Sequence, residues 1–108
     1  MKPNIIDQEE FSAVAKAIGL EIVFSTMEDI PPRRRDNWEH WNPRDDSSDA
    51  FDVAAKLRLK VDFSDSPDHC KVSSEDGKHV RICLNNEYGA SGAARRAIID
   101  VARMIAAC

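Results

Sequence analysis

Apolar positions along the chain change their period several times, and each change marks an element. Phe11, Val14, Ala15 and Ile18 recur at the i, i+3, i+4, i+7 spacing of a helix buried on one side. Asp7 is placed to cap this helix with Glu10 three residues on in a capping box, and Ile6 and Phe11 are placed as a hydrophobic staple. Gly19 supplies a left-handed stop, with Leu20 folding back over the last turn. The period then drops to two: Leu20, Ile22 and Phe24 alternate as in a strand over 20–25. Residues 26–45 show neither period and read as a long irregular loop, stiffened by Pro31 and Pro32. Helical spacing resumes over Ser47–Leu57, with Phe51, Ala54 and Leu57 as the buried stripe and Asp45 or Asp46 as the cap.

Alternation returns at Leu59, Val61 and Phe63, and again in segments 70–74 and 78–84, which form a hairpin around Glu75–Lys78. Two registers compete. A two-residue turn at Asp76-Gly77 sets Cys70 opposite Cys83 but Val72 opposite Arg81. A three-residue loop with Gly77 left-handed sets Val72 opposite Val80 and Cys70 opposite Ile82. A slip of one residue exchanges the buried and wet faces. The apolar match therefore favours the second register, leaves Arg81 on the wet face and argues against a Cys70–Cys83 bridge. A final helix over 92–106 carries Ala94, Ala97, Ile98, Val101, Ala102 and Ile105 on one side, with Arg96–Asp100 and Asp100–Arg103 as surface pairs.

The pattern predicts an α+β fold: a small, mostly antiparallel sheet of about four strands packed with three helices, in the order α-β-α-β-β-β-α. The length, 108 residues, suits a single domain over 1–108. Hydrophobic residues make up 43% of the chain, enough to exclude wholesale disorder. A net charge of −4 gives no global attraction to nucleic acid or to an anionic membrane. No run is long and apolar enough to span a bilayer, and the N-terminus lacks the apolar core of a secretory signal, so a cytoplasmic setting without membrane contact is expected. Three cysteines without a C-x-x-C spacing argue against a disulfide framework or a zinc ribbon.

Chemistry-bearing residues concentrate between 33 and 52. Arg33, Arg34 and Arg35 precede Trp38 and His40, a mixture of cations and aromatics used both at protein-docking surfaces and on single-stranded nucleic acid. These five form the candidate partner-binding set. Acidic neighbours at Glu28, Asp29, Asp36 and Glu39 offset the arginines locally. Trp41, Asp46 and Asp49 read as devices that start and seat a helix, the ring against the first turns and the carboxylates beside exposed amides. Arg95 and Arg96 lie in the first half of the last helix, where the dipole disfavours cations, so one of them is expected to reach Asp46 or Asp49. The cluster Asp45, Asp46, Asp49 and Asp52 contains no calcium-loop spacing, and no metal or cofactor is assigned. No nucleophile elbow, zinc-protease helix or P-loop is present, and His79 and Cys83 would stand ~13 Å apart on a strand. No catalytic residue is assigned, and an enzyme is not expected.

The run W41-N-P-R-D-D-S-S-D-A-F-D-V-A-A-K-L57 resembles a helix motif of small phage and prophage proteins, the group called the phage ABA sandwich domain. The stretches A94-R-R-A-I-I-D-V-A-R-M-I105 and A13-V-A-K-A-I-G-L20 are similar to its closing and opening helices. Arg44, Ser47 and Ser48 depart from the pattern, and the arginine-rich loop has no counterpart in it. The resemblance implies a phage or prophage accessory protein of the bacterial host cytoplasm with no assigned activity, and helices on both faces of the sheet. The alternation itself leaves Lys60, Asp62, Lys71, Ser73, His79 and Arg81 on a second, wet face. The expected function is non-enzymatic protein binding, in the form of interference with a host defence system. The alternative is nucleic-acid binding through Arg33–Arg35 and Trp38.

Overall fold

The computed structural model describes residues 5–24, 32–63, 68–84 and 89–107. Among these are three helices, α1 (Ile5–Ile18), α2 (Ser47–Leu57) and α3 (Ala90–Ala107). Five short strands accompany them: β1 (Ile22–Val23), β2 (Arg33–Arg34), β3 (Lys60–Asp62), β4 (His69–Ser73) and β5 (Val80–Leu84). The α+β class and the element order are as expected. The sheet differs, because five strands form two antiparallel sheets, a ribbon β1-β2 and a three-stranded sheet β3-β4-β5, where four in one sheet were anticipated.

Helix ends follow local chemistry. Residues 18–20 close α1 with the two bonds of a Schellman motif: Gly19 N–H donates to the Lys16 carbonyl at 3.2 Å and Leu20 N–H to that of Ala15 at 2.9 Å. Gly19 sits at φ +69°, which it adopts without a Cβ penalty. The same two bonds end α2, from Arg58 to Ala55 and from Leu59 to Ala54, but the left-handed residue is Arg58 at φ 55°. At its other end α2 is capped by Asp46, whose carboxylate accepts the Asp49 N–H at 3.2 Å. The start of α1 departs from expectation: the helix begins at Ile5, ahead of the Asp7 cap, and the side chains of residues 5–7 lie outside the described set. Glu10 is not in a capping box either. It is 5% exposed and engages Arg96 on α3.

Helix α3 is the centre of the molecule, packing against β4 and β5 on one side and against α1 and α2 on others. That explains why Ala93 and Ile99 are as buried as the anticipated stripe of Ala94, Ala97, Ile98, Val101 and Ala102. Its small alanines let neighbouring backbones approach. The stripe of α2 is shifted from the expected one: Ala50, Val53 and Ala54 are buried and Phe51 is 41% exposed.

The hairpin register is the one the apolar match rejected. Cys70 stands opposite Cys83, Val72 opposite Arg81 and Ser73 opposite Val80. Two contacts account for it. Arg81 turns toward α3 and donates from Nε to Asp100 at 3.0 Å, so an ion pair stands where an apolar side chain was sought. The turn is organised by Ser74, whose N–H donates to the His79 carbonyl (2.8 Å) while its hydroxyl donates to Asp76 (2.6 Å) and accepts from the His79 N–H (3.1 Å). The consequence is an inverted outer face, with Val80, Ile82 and Leu84 40–49% exposed. Both cysteines are buried free thiols, and burial raises their pKa values, which suppresses the reactive thiolate. Helices pack on one face of this sheet among the described residues, not on both as the resemblance implied.

Candidate functional site: the Arg33–His40 hairpin

The segment expected to be irregular is structured from residue 32 onward; the rest of that loop, 26–31, lies outside the described residues, as does residue 25 of the expected strand. Strand β2 pairs with β1, Ile22 opposite Arg34 and Val23 opposite Arg33. The chain then turns through 35–37 and returns, so that Arg33 bridges His40. Bonds from Arg34 N–H to the Glu39 carbonyl (2.8 Å) and from Trp38 N–H to the Arg34 carbonyl (2.9 Å) close the turn. Asn37 steadies it by accepting the Glu39 N–H at 3.0 Å. At the base, Trp41 N–H donates to the carbonyl of buried Pro32 (2.8 Å), and the Trp41 ring is 1% exposed, 6.0 Å from the Phe11 ring at a tilt of 60°. Trp41 is thus part of the core, as expected, and it fastens the hairpin to α1.

The three arginines have separate tasks. Arg34 bonds Asp36 (3.3 Å) and lies 3.9 Å from Asp52 on α2. Arg35 lies 3.7 Å from Glu21, and its N–H donates to the Glu21 carbonyl at 3.0 Å. Arg33 donates to the Trp38 carbonyl (2.7 Å) and sits 5.6 Å over the Trp38 ring. Trp38 is 57% exposed and held at φ 61°, a left-handed conformation that disfavours a bulky side chain. The hydrogen bond from Arg34 holds the Asp36 carboxyl below its usual range and keeps that partner charged. Of the five candidate binding residues, the hairpin therefore brings Trp38 and His40 beside Arg33, while Arg34 braces it against α2 and Arg35 against Glu21, just before β1.

The acidic cluster is occupied in structural work. Asp45 accepts from the Asn42 amide at 3.1 Å, Asp46 caps α2, Asp49 accepts the Asn42 N–H at 2.9 Å and Asp52 faces Arg34. Burial pushes the Asp49 carboxyl up, against the Asn42 bond. Among the described residues no three His, Cys, Asp or Glu side chains converge as metal ligands. The expected bond from Arg95 or Arg96 to Asp46 or Asp49 is replaced. Arg95 donates to the Arg44 carbonyl (2.8 Å) and the Ser47 hydroxyl (2.9 Å), satisfying the start of α2 through neutral acceptors. Arg96 reaches Glu10 and Asp100 instead. Sequence pattern pointed to Arg96–Asp100 by its i, i+4 spacing but gave no sign of Glu10, because that contact spans 86 residues.

No helix among the described residues is long and apolar enough to cross a membrane. Comparison with family models, with curated proteins and with solved structures finds no match to this chain.

Proposed function

We propose that this chain is a non-enzymatic binding protein that docks onto another protein through the Arg33–His40 hairpin, with Trp38 as the anchor. The observation that carries this reading is Trp38 itself, an indole 57% exposed in a left-handed conformation. Such a conformation costs of order 1–3 kcal/mol, and the exposed ring recovers little by packing within the chain. An aromatic held rigid at a turn tip, backed by an arginine and rimmed by polar groups, is the composition of an interface hot spot. The paired state of Arg34 and Arg35 favours a protein over a phosphate backbone. The helix motif over 41–57 supports a phage or prophage accessory role in bacterial cytoplasm, with a host defence protein as the target, and the net charge of −4 suits a basic partner surface.

The test is capture from bacterial lysate with the wild-type chain and Trp38→Gly. A partner retained by the wild type and lost by the variant, at unchanged circular dichroism, is the expected result. Equal retention by both would remove the hairpin as the contact. The stacking of Arg33 on Trp38 favours a second reading, binding of single-stranded nucleic acid. That reading requires retardation of an oligonucleotide at low salt that weakens as salt rises; no retardation discards it.

A further inference from the structure

A second charged assembly lies between α1, β5 and α3. Arg96 grips the buried Glu10 carboxylate with both terminal nitrogens, at 3.1 Å each. Arg44 and Arg103 stand 3.6 Å from the two oxygens of the same carboxylate. Arg96 also bonds one Asp100 oxygen at 2.8 Å, and Arg81 takes the other at 3.0 Å. Arg81, Arg96 and Arg103 thus share two carboxylates, which leaves one positive charge in excess before Arg44 is counted. Burial works against the charge on Arg96, but its bonds to Glu10 and Asp100 outweigh it.

Beside this assembly lies a shallow cleft of about 380 Å³, open to solvent over most of its extent and lined by Arg81, Asp100, Arg103 and Met104. The side chains of Arg81 and Arg103 are 49% and 44% exposed at its wall, whereas Arg96 behind them is 20% exposed. Asp100 does not repel an anion here as a lone carboxylate would, because each oxygen already accepts from a guanidinium. Met104 adds an apolar wall.

The geometry points to a binding site in this cleft for a small phosphate-bearing molecule, with Arg81 and Arg103 as the ligating cations and Glu10 and Asp100 holding them in place. Guanidinium groups match phosphate oxygens through paired N–H donors, and an arginine pair on rigid elements is oriented before the ligand arrives. The site is built from elements other than the hairpin and stands or falls separately from it.

The test titrates the full chain with sodium phosphate and, in a second arm, with a nucleoside monophosphate, each against sodium chloride at matched ionic strength. Arginine Nε–H resonances and calorimetry are the readouts. Both phosphates are expected to shift the Arg81 and Arg103 signals beyond the chloride control. Arg103→Gln is expected to weaken binding about tenfold, the loss of one charge-assisted contact, and Lys56→Gln, an exposed cation on α2, to leave it unchanged. Arg81→Gln releases Asp100 and risks the fold, so the half-exposed Arg103 carries the decision. Shifts no larger than with chloride, or equal affinity in Arg103→Gln, overturn the site. A third arm with a ten-nucleotide single strand separates sources: binding of the strand without either small phosphate overturns it too.

Discussion

Trp38 and Trp41 stand three positions apart on one short segment, yet one is 57% exposed and the other 1%. The difference lies in what the backbone does between them. Trp38 occupies the left-handed tip of a turn, where Arg33 sits over its ring. By Trp41 the chain has returned to the base, where Pro32 accepts its N–H and Phe11 meets its ring. Residue type therefore says little by itself. One indole holds the hairpin to the core, and the other is what the hairpin displays.

That contrast is most directly broken at Trp41. Trp41→Ala should cost about 3–5 kcal/mol through lost burial and the cavity left behind, read as a fall in the urea midpoint; a cost below 1 kcal/mol would mean the ring is not core. The same contrast holds for carboxylates. Glu10→Ala strands Arg96 beside a buried site and should cost ~2–3 kcal/mol, short of a fully buried pair because Arg44 and Arg103 are partly solvated. Asp36→Asn, on the exposed turn, should leave the urea midpoint close to that of the wild type. Trp38→Gly should be close to neutral for folding, since relief at φ 61° offsets a cation–π contact of about 0.5–1 kcal/mol, while abolishing partner capture. Arg58 shares the left-handed geometry without an aromatic to display, so Arg58→Gly should stabilise by ~0.5–1 kcal/mol.

The smallest effect is a pH dependence with opposite signs at two aspartates. The bond from Ser74 holds the Asp76 carboxyl below its ordinary value. Its contribution is present above the unfolded-chain pKa and is lost as pH falls through the depressed folded value. Burial raises Asp49, so its ionised form costs stability, and that cost fades as pH falls through its raised value. Between pH 5 and 2, Asp76→Asn should flatten the acid loss of the urea midpoint and Asp49→Asn should steepen it. Parallel profiles for the two variants would contradict both assignments.

Several local signals agree with the structure, although the Asp7 cap and the Glu10 capping box do not. Asp46 caps α2 at Ser47, Gly19 ends α1, and the stripe from Ala94 to Ala102 is buried. Each depends on residues within a turn or two of one another. The β4-β5 register went the other way for an equally specific reason. Pattern matching scores Arg81 as a wet residue, and nothing near it in the chain shows that Asp100 awaits its guanidinium across 19 positions. The exposure of Phe51 has a similar origin, because which side of α2 is buried depends on where α3 and α1 lie. The candidate site was legible as a set of residue types, Arg33–Arg35, Trp38 and His40, but not as a hairpin with one stacked and two braced arginines.

From the chain alone came the helices, the Asp46 cap of α2 and the Gly19 stop of α1, the α+β class, the element order and the core position of Trp41, since hydrophobic period and backbone capping act over a few residues. Only the tertiary structure decided the strand pairing, the burial of Glu10, the inversion of β5 and the display of Trp38. Those depend on ion pairs and packing between segments far apart in the chain, whose mutual placement no local pattern encodes.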